Sequence, residues 1–371
     1  MSYQPKIALV HDDFIQAGGA ESLFTTIASI WPSAPIYTSL VDWDKLPSVI
    51  DRSRVRPSFI QNIPFAQKFY KALLPLYPLA FESFDFSEFD LVISSTTRFA
   101  KSIITKPDTI HICYINSLPR FLYDEKIQSD YLPRWLRILI KPLLSWLQRW
   151  DRIAAQRVDF YIANSQNIKN KVNEYYQCNT DVIYPFVDLS AFRPARVHKW
   201  SLKAQNYYLV VSRLSKWKKI DVAIKAAVNM GISLKIVGTG PDEARLKRLA
   251  VKCQIEFMGR VGQKSLVQLY QNAQALIVTQ EEDFGIAAIE ASACGIPVIA
   301  YKKGGLQEII IDGQTGIFFE KQSPKSLEGA IARASKIQWK VPDCRKNAMR
   351  FSWAKFVEKL KQVISSKTVS R

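Results

Sequence analysis

The amino-acid sequence predicts an α/β protein made of two Rossmann-like parallel-sheet domains facing a cleft. Short branched apolar runs alternate with helix-compatible segments along most of the chain, as in strand–helix–strand units. The length of 371 residues exceeds what one core ordinarily fills, and a hydrophobic content of 48% is enough for two. Charged and glycine-rich stretches fall where apolar runs hand over to helices, the place at which open α/β sheets bind ligands.

In the first half, Lys6–Val10 reads as a strand, and Gly18-Gly19-Ala20-Glu21 opens a helix reaching about Ile30. Ile36–Leu40, Leu91–Ser94, Ile110–Ile115 and Phe160–Ala163 follow as buried runs, while the aromatic and proline-rich stretch from Pro57 to Phe89 shows no clear period. From Asp181 the chain reads V-I-Y-P-F-V-D-L-S-A-F-R-P and then turns polar up to Asn206, a linker pattern. A second alternating block follows. Its strands are Tyr208–Val211, Leu234–Val237, Ile255–Phe257, Leu276–Val278, Val298–Ala300 and Gly316–Phe319; its helices are Ile220–Val228, Asp242–Lys252, Ser265–Asn272 and Ala287–Cys294. The expected domains are 1–190 and 191–350, with a helix at about 351–371 packing back on the first.

The charge balance, 51 Lys and Arg against 33 Asp and Glu, gives +18 and a pI near 9.6. Such a surplus attracts a polyanion: nucleic acid, anionic lipid or a phosphorylated substrate. No basic repeat or aromatic-platform module supports nucleic acid. The five cysteines, Cys113, Cys178, Cys253, Cys294 and Cys344, form no C-x-x-C pair, so reduced thiols in a cytosolic protein are expected, with neither a zinc site nor a disulfide frame. The first apolar run is too short for a signal peptide, and no run reaches the roughly 18 residues that a spanning helix needs, so a soluble or surface-lying protein is expected. In residues 131–158, Trp135, Trp146 and Trp150 alternate with Arg134, Arg137, Lys141, Arg149, Arg152 and Arg157. That composition suits either an anionic membrane surface or a helix pair packed on the sheet with its Arg stems covering apolar surface, and Pro142 is expected to kink or divide it.

Glu282 and Glu290 stand eight positions apart in E-D-F-G-I-A-A-I-E, one on the loop after a strand and one in the first turns of the next helix. The N–H groups of Phe284, Gly285 and Ile286 lie at that helix start and favour an anion. Hydroxyls for the carboxylates and phosphates for the amides together describe a sugar nucleotide. Arg213 and Lys218 in S-R-L-S-K-W-K-K follow another strand, where a guanidinium and an ammonium can grip a diphosphate. Gly18 and Gly19, at a strand-to-helix turn, allow close backbone approach to phosphate or sugar. Of the three histidines, His111 lies inside an apolar run, His11 just past the first strand, and neither it nor His198 has a triad partner in view. Asp42-Trp43-Asp44 has a metal-binding D-x-D form without supporting context, and no zinc spacing, Walker loop, G-x-G-x-x-G or G-x-S-x-G occurs.

Taken in order, K-I-A-L-V-H-D-D, G-G-A-E at 18–21, H-I-C-Y-I-N-S-L-P-R-F at 111–121, V-D-F-Y-I-A-N-S at 158–165 and V-I-Y-P-F-V-D at 182–188 form one series. It continues with S-R-L-S-K-W-K-K-I-D at 212–221, I-V-G-T-G-P at 236–241, E-E-D-F-G-I-A-A-I-E-A at 281–291 and the G-G-x-x-E of Gly304, Gly305 and Glu308. On these motifs the chain resembles the retaining family 4 glycosyltransferases of the GT-B fold, most of all the branch that builds bacterial surface polysaccharides, often mannosyltransferases. The resemblance implies a hexosyltransferase that keeps the anomeric configuration and needs neither metal nor cofactor, with a nucleotide-sugar, GDP-mannose first, as co-substrate. It implies a lipid-linked or glycan acceptor, and a cytoplasmic location on the inner face of the membrane through 131–158. Arg213 and Lys218 would bind the donor diphosphate, Glu282 the transferred sugar, Glu290 the ribose and the Phe284–Ile286 amides the phosphates. Arg260 and Val261 would hold the base, Gly18 and Gly19 would line the facing side, and Arg120 would lie on the acceptor side. The chain departs from the family where H-T-P-x-R becomes Asn116-Ser117-Leu118-Pro119-Arg120, so that asparagine replaces a histidine near the reacting carbon, and Ala288 stands where relatives often have proline. A non-catalytic nucleotide-sugar-binding or membrane-surface scaffold is the alternative that this departure leaves open.

Overall fold

Parallel strands covered on both faces bury every side chain, so they read as continuous apolar runs rather than alternations. Leu91–Thr96 and Ile110–Ile115 are of this kind, buried at each position. The computed structural model describes residues 5–16, 18–124, 128, 133–195, 207–250 and 254–369. The expected linker from 196 to 206 with His198, the end of the expected Asp242–Lys252 helix, Cys253, and residues 131–132 of the basic aromatic segment lie outside them. The chain divides into two units, Met1–Ile183 with Leu360–Arg371, and Tyr184–Lys359.

The first unit holds a parallel sheet of seven strands in the order β3-β2-β1-β4-β5-β6-β7. These are β1 (Ile7–His11), β2 (Ile36–Thr38), β3 (Val55–Pro57), β4 (Leu91–Thr96), β5 (Ile110–Ile115), β6 (Phe160–Ala163) and β7 (Thr180–Val182). β3 (V-R-P) and β7 (T-D-V) each place a charged residue mid-strand and so form no apolar run, and the sequence did not point to them. The proline-rich stretch folds as short helical pieces, Phe59–Asn62, Ala66–Phe69, Leu74–Leu76 and Tyr77–Glu82, behind which Tyr37, Phe84, Phe86 and Phe89 cluster edge to face.

The basic aromatic segment forms one helix, Arg134–Ala155, and Pro142 does not divide it. Pro142 and Ile138, whose carbonyl loses its intrahelical donor, are both exposed, so the break falls on the solvent side of the helix. The one acid of the helix, Asp151, is fully buried and accepts from Lys101 Nζ at 2.5 Å, Tyr176 OH at 2.6 Å and Tyr123 OH at 2.9 Å. Leu147 packs beside it in the core, and Trp150 stacks edge-on against Phe99 while donating to Glu82 Oε1 at 3.0 Å. The opposite side leaves Trp135, Ile138, Leu139, Trp146 and Ile153 exposed. Trp150 is therefore structural, and of the three tryptophans only Trp135 and Trp146 face outward.

The second unit holds a parallel sheet of six strands in the order β10-β9-β8-β11-β12-β13. These are β8 (Tyr207–Val211), β9 (Ser233–Val237), β10 (Ile255–Gly259), β11 (Leu276–Val278), β12 (Val298–Tyr301) and β13 (Gly316–Phe319). Its covering helices include Ile220–Met230, Gln263–Asn272, Ile286–Ala293 and Pro324–Ala334. The last helix, Trp353–Val369, begins in this unit and ends in the first, where Lys367 Nζ lies 4.8 Å from the Phe160 ring centroid. Among the described residues no helix is long and apolar enough to cross a membrane.

Candidate functional site

In a doubly wound sheet the ligand crevice opens where two neighbouring strands send their connections in opposite directions. In the second unit those strands are β8 and β11. The loop after β8 carries Arg213 and Lys218, and the loop after β11 carries Glu282. The structure ties these loops together. Lys218 Nζ donates to Glu282 Oε1 at 2.7 Å, Gln280 Nε2 donates to the same oxygen at 2.5 Å, and Thr279 Oγ1 donates to the Lys218 carbonyl at 2.8 Å. Lys218 Nζ also sits 4.2 Å from the Trp217 ring centroid. A cation and a carboxylate from loops more than sixty residues apart thus meet at the switch point of the sheet.

Glycines set the approach of the neighbouring loops. Gly304, at φ 74°, has no room for a side chain, because a Cβ would lie 2.2 Å from the Glu282 carbonyl oxygen, and at Gly305 it would lie 2.4 Å from that of Asp283. Gly305 N–H donates to the Glu282 carbonyl at 2.8 Å, so the Gly-Gly pair is the seat on which the acidic loop rests. Gly238, at φ 130°, backs the cationic loop in the same way, with a Cβ position 2.0 Å from the Ser212 carbonyl oxygen.

The remaining expected donor residues spread along this end of the sheet. Arg213 is exposed on the cationic loop, and Arg260 is exposed just after β10, while Val261 packs on the core. Phe284 turns its ring into the core, stacked 5.8 Å from Tyr184, so only its backbone is available to a ligand. Gly285 caps the Ile286–Ala293 helix. Glu290, inside that helix, accepts from Tyr270 OH at 2.8 Å; burial pushes its carboxyl up to about 7, against the opposing effect of that hydrogen bond.

The first unit reverses between β1 and β4. There the buried Asp12 accepts from Thr96 Oγ1, the Thr97 N–H and hydroxyl, and the amides of Arg98, Phe99 and Ala100. Burial works against its charge, but Arg98 and these amides hold its carboxyl below the ordinary value. Asn116, at the end of β5, is buried; its Nδ2 donates to Ser95 Oγ at 3.0 Å and its carbonyl accepts from Asn164 Nδ2 at 2.8 Å. Gly18 and Gly19 are exposed at the start of the Gly19–Ile30 helix, and Arg120 opens a short half-buried helix. His11 is buried against Phe24, with rings 4.5 Å apart, and burial lowers it to about 4, so it is the neutral imidazole near neutral pH. His111 is a core residue, lowered to about 3 by burial, with Ser94 Oγ 2.8 Å from its Nε2. Asp42 pairs with Lys45 at 2.5 Å. Among the described residues no group of three or more His, Cys, Asp or Glu side chains converges to hold a metal.

Trp217, Gln280, Thr279 and Asp12 are the site residues that sequence reasoning missed. Trp217 is next to Lys218, and Thr279 and Gln280 stand three and two positions before Glu282; that closeness in sequence was the available signal.

Residues 195–351 match the family model described as Glycosyl transferases group 1. Among curated proteins, the chain is 28% identical over 57% of its length to an uncharacterized glycosyltransferase of Methanocaldococcus jannaschii, covering 61% of that protein. It is 24% identical over 83% of its length to a second from the same organism, covering 82%. It is 29% identical over 47% of its length to the D-inositol 3-phosphate glycosyltransferase of Segniliparus rotundus, covering 44%. The chain thus spans under two thirds of the first and third of these relatives. Among solved structures, the sucrose-phosphate synthase of Thermosynechococcus elongatus superposes with a TM-score of 0.75 at 20% identity, over 99% of this chain and 100% of that one. HepE of Anabaena, solved with UDP and glucose, superposes with a TM-score of 0.72 at 20% identity, over 98% of this chain and 100% of that one. With its two parallel-sheet units, the chain has the GT-B fold of these glycosyltransferases.

Proposed function

We propose that the protein is a retaining glycosyltransferase moving a hexose from a nucleotide-sugar to a lipid-linked or glycan acceptor at the cytoplasmic face of an anionic membrane. The observation that carries this reading is the Lys218–Glu282 pair at the β8/β11 switch point. It puts a cation for phosphate beside a carboxylate for sugar hydroxyls. The family match over 195–351 covers both residues, and a structural neighbour binds UDP and glucose. In the step proposed, the bond from the anomeric carbon to the diphosphate oxygen breaks. The acceptor oxygen bonds that carbon on the same face, and its proton passes to the departing diphosphate. Lys218 and Arg213 stabilise the charge growing on that diphosphate, Glu282 holds the sugar, and Glu290 accepts from the ribose. Asn116, neutral at any pH, hydrogen-bonds without serving as a base.

The donor test is a thermal-shift panel of UDP, GDP, UDP-glucose and GDP-mannose, the last being the donor the motifs favour. A ligand at about 100 times its Kd adds roughly 2.7 kcal/mol to the folded state. At least one compound is expected to raise Tm, and Lys218→Ala to remove the rise. No rise with any of them at millimolar concentration sinks the reading.

Membrane attachment rests on the solvent-facing surface of Arg134–Ala155, where six large apolar side chains, Leu143 among them, stand exposed with Arg134, Lys141, Arg149 and Arg152 while the helix's only acid points inward. Co-sedimentation with vesicles is expected to need anionic lipid and to fall with salt. Trp135→Ser with Trp146→Ser should weaken it by about tenfold or more. Binding unchanged in that double variant makes the exposed face irrelevant to lipid.

A further inference from the structure

We propose that Trp217 is a positioning residue that fixes the Lys218 ammonium for a nucleoside diphosphate, an inference that rests on the reading of the β8/β11 site given above. A lysine ends a flexible stem of four carbons and is a strongly hydrated point charge, so holding it in one place has an entropic cost. Three contacts meet that cost here before any ligand arrives. The Thr279 hydroxyl fixes the Lys218 carbonyl at 2.8 Å, Glu282 takes the ammonium at 2.7 Å, and the Trp217 ring centroid lies 4.2 Å from the same nitrogen.

The indole contact joins neighbours in sequence, as do those of Lys68 with Phe69 and Arg350 with Phe351, but at 4.2 Å it is closer than either. Both lie in the single 3-10 turn Lys216–Lys218, which ends at Lys219 in the left-handed region, φ 52°, a conformation only a few per cent of non-glycine residues adopt. Thr279 and Gln280, from the acidic loop, close the other side.

The two supports of the ammonium differ in what ligand binding does to them. Glu282 competes with an incoming diphosphate for the positive charge, and once the ammonium moves to phosphate the carboxylate is released to sugar hydroxyls, still braced by Gln280. Trp217 carries no net charge, so it retains its attraction for the ammonium without opposing the phosphate. The aromatic ring therefore stays in contact with the Lys218 ammonium as its partner changes from carboxylate to phosphate.

Titration calorimetry with UDP and GDP tests this on Trp217→Leu, Trp217→Phe, Lys218→Ala and the Trp217→Leu/Lys218→Ala double variant. Trp217→Leu is expected to weaken diphosphate binding about five- to tenfold, and Trp217→Phe to stay within about twofold of the parent. In the Lys218→Ala background the leucine substitution should have no further effect, because its action runs through the ammonium. Parent-like binding by Trp217→Leu, or an equal loss with and without Lys218, overturns the positioning role. Failure of the unsubstituted protein to bind either nucleotide overturns the reading of the site itself, and this inference with it.

Discussion

Glu282→Ala is expected to cut sugar transfer by about 10²–10³-fold while the protein stays folded. The side chain is partly solvated, with 22% of its surface exposed, and its ion pair with Lys218 lies at the mouth of the sheet rather than in the core. Pairs of that kind contribute roughly 0–1 kcal/mol to stability, so the melting curve should move little. The loss arises in catalysis. In the proposed reading, loss of the carboxylate deprives the transferred sugar of its hydroxyl acceptor and the Lys218 ammonium of the partner that holds it before the diphosphate binds. Glu282→Gln, which can still accept hydrogen bonds but no longer neutralises Lys218, should fall between the parent and the alanine variant. Transfer assayed against the melting temperature separates the outcomes. An alanine variant with full activity places the sugar elsewhere, and one that unfolds makes the residue structural.

Lys101→Ala is expected to destabilise the first unit by about 3–5 kcal/mol. Lys101 and Asp151 are both fully buried and 2.5 Å apart, and removing the cation leaves the carboxylate with only the hydroxyls of Tyr123 and Tyr176. Replacing both partners, as Lys101→Met with Asp151→Leu, should recover most of the loss, since an apolar pair of similar volume escapes the desolvation cost. Urea unfolding at neutral pH measures both variants, and a cost below about 1 kcal/mol for Lys101→Ala would mean water reaches the pair. Asp151 anchors the long basic helix, so Lys101→Ala should also loosen that helix against the sheet.

The sequence revealed those parts of the fold whose signal is local. Continuous apolar runs such as Ile110–Ile115 and Leu276–Val278 read as buried parallel strands, and both fold so. β3 and β7 escaped because V-R-P and T-D-V each carry a charged residue and form no apolar run. Glu282 and Lys218 were each visible as a charged residue at a strand end, but their contact depends on β11 lying beside β8 with β9 and β10 on the far side. No spacing in a single sequence encodes that order. In the Arg134–Ala155 helix the aromatic pattern did not show which tryptophans face inward. Asp151 was the usable clue, since a lone acid among so many bases is best placed where a buried lysine can meet it. Pro142 was misleading because its lost hydrogen bond falls on the wet side of the helix.

Gly304 and Gly305 leave no gap beneath the Glu282 turn: each would drive a methyl group into a backbone atom of that turn. The segments 279–285 and 302–306 therefore cannot drift apart in evolution or in the laboratory. A graft meant to change which sugar is accepted has to carry both as one cassette, because swapping either alone strands a carbonyl against a mismatched neighbour.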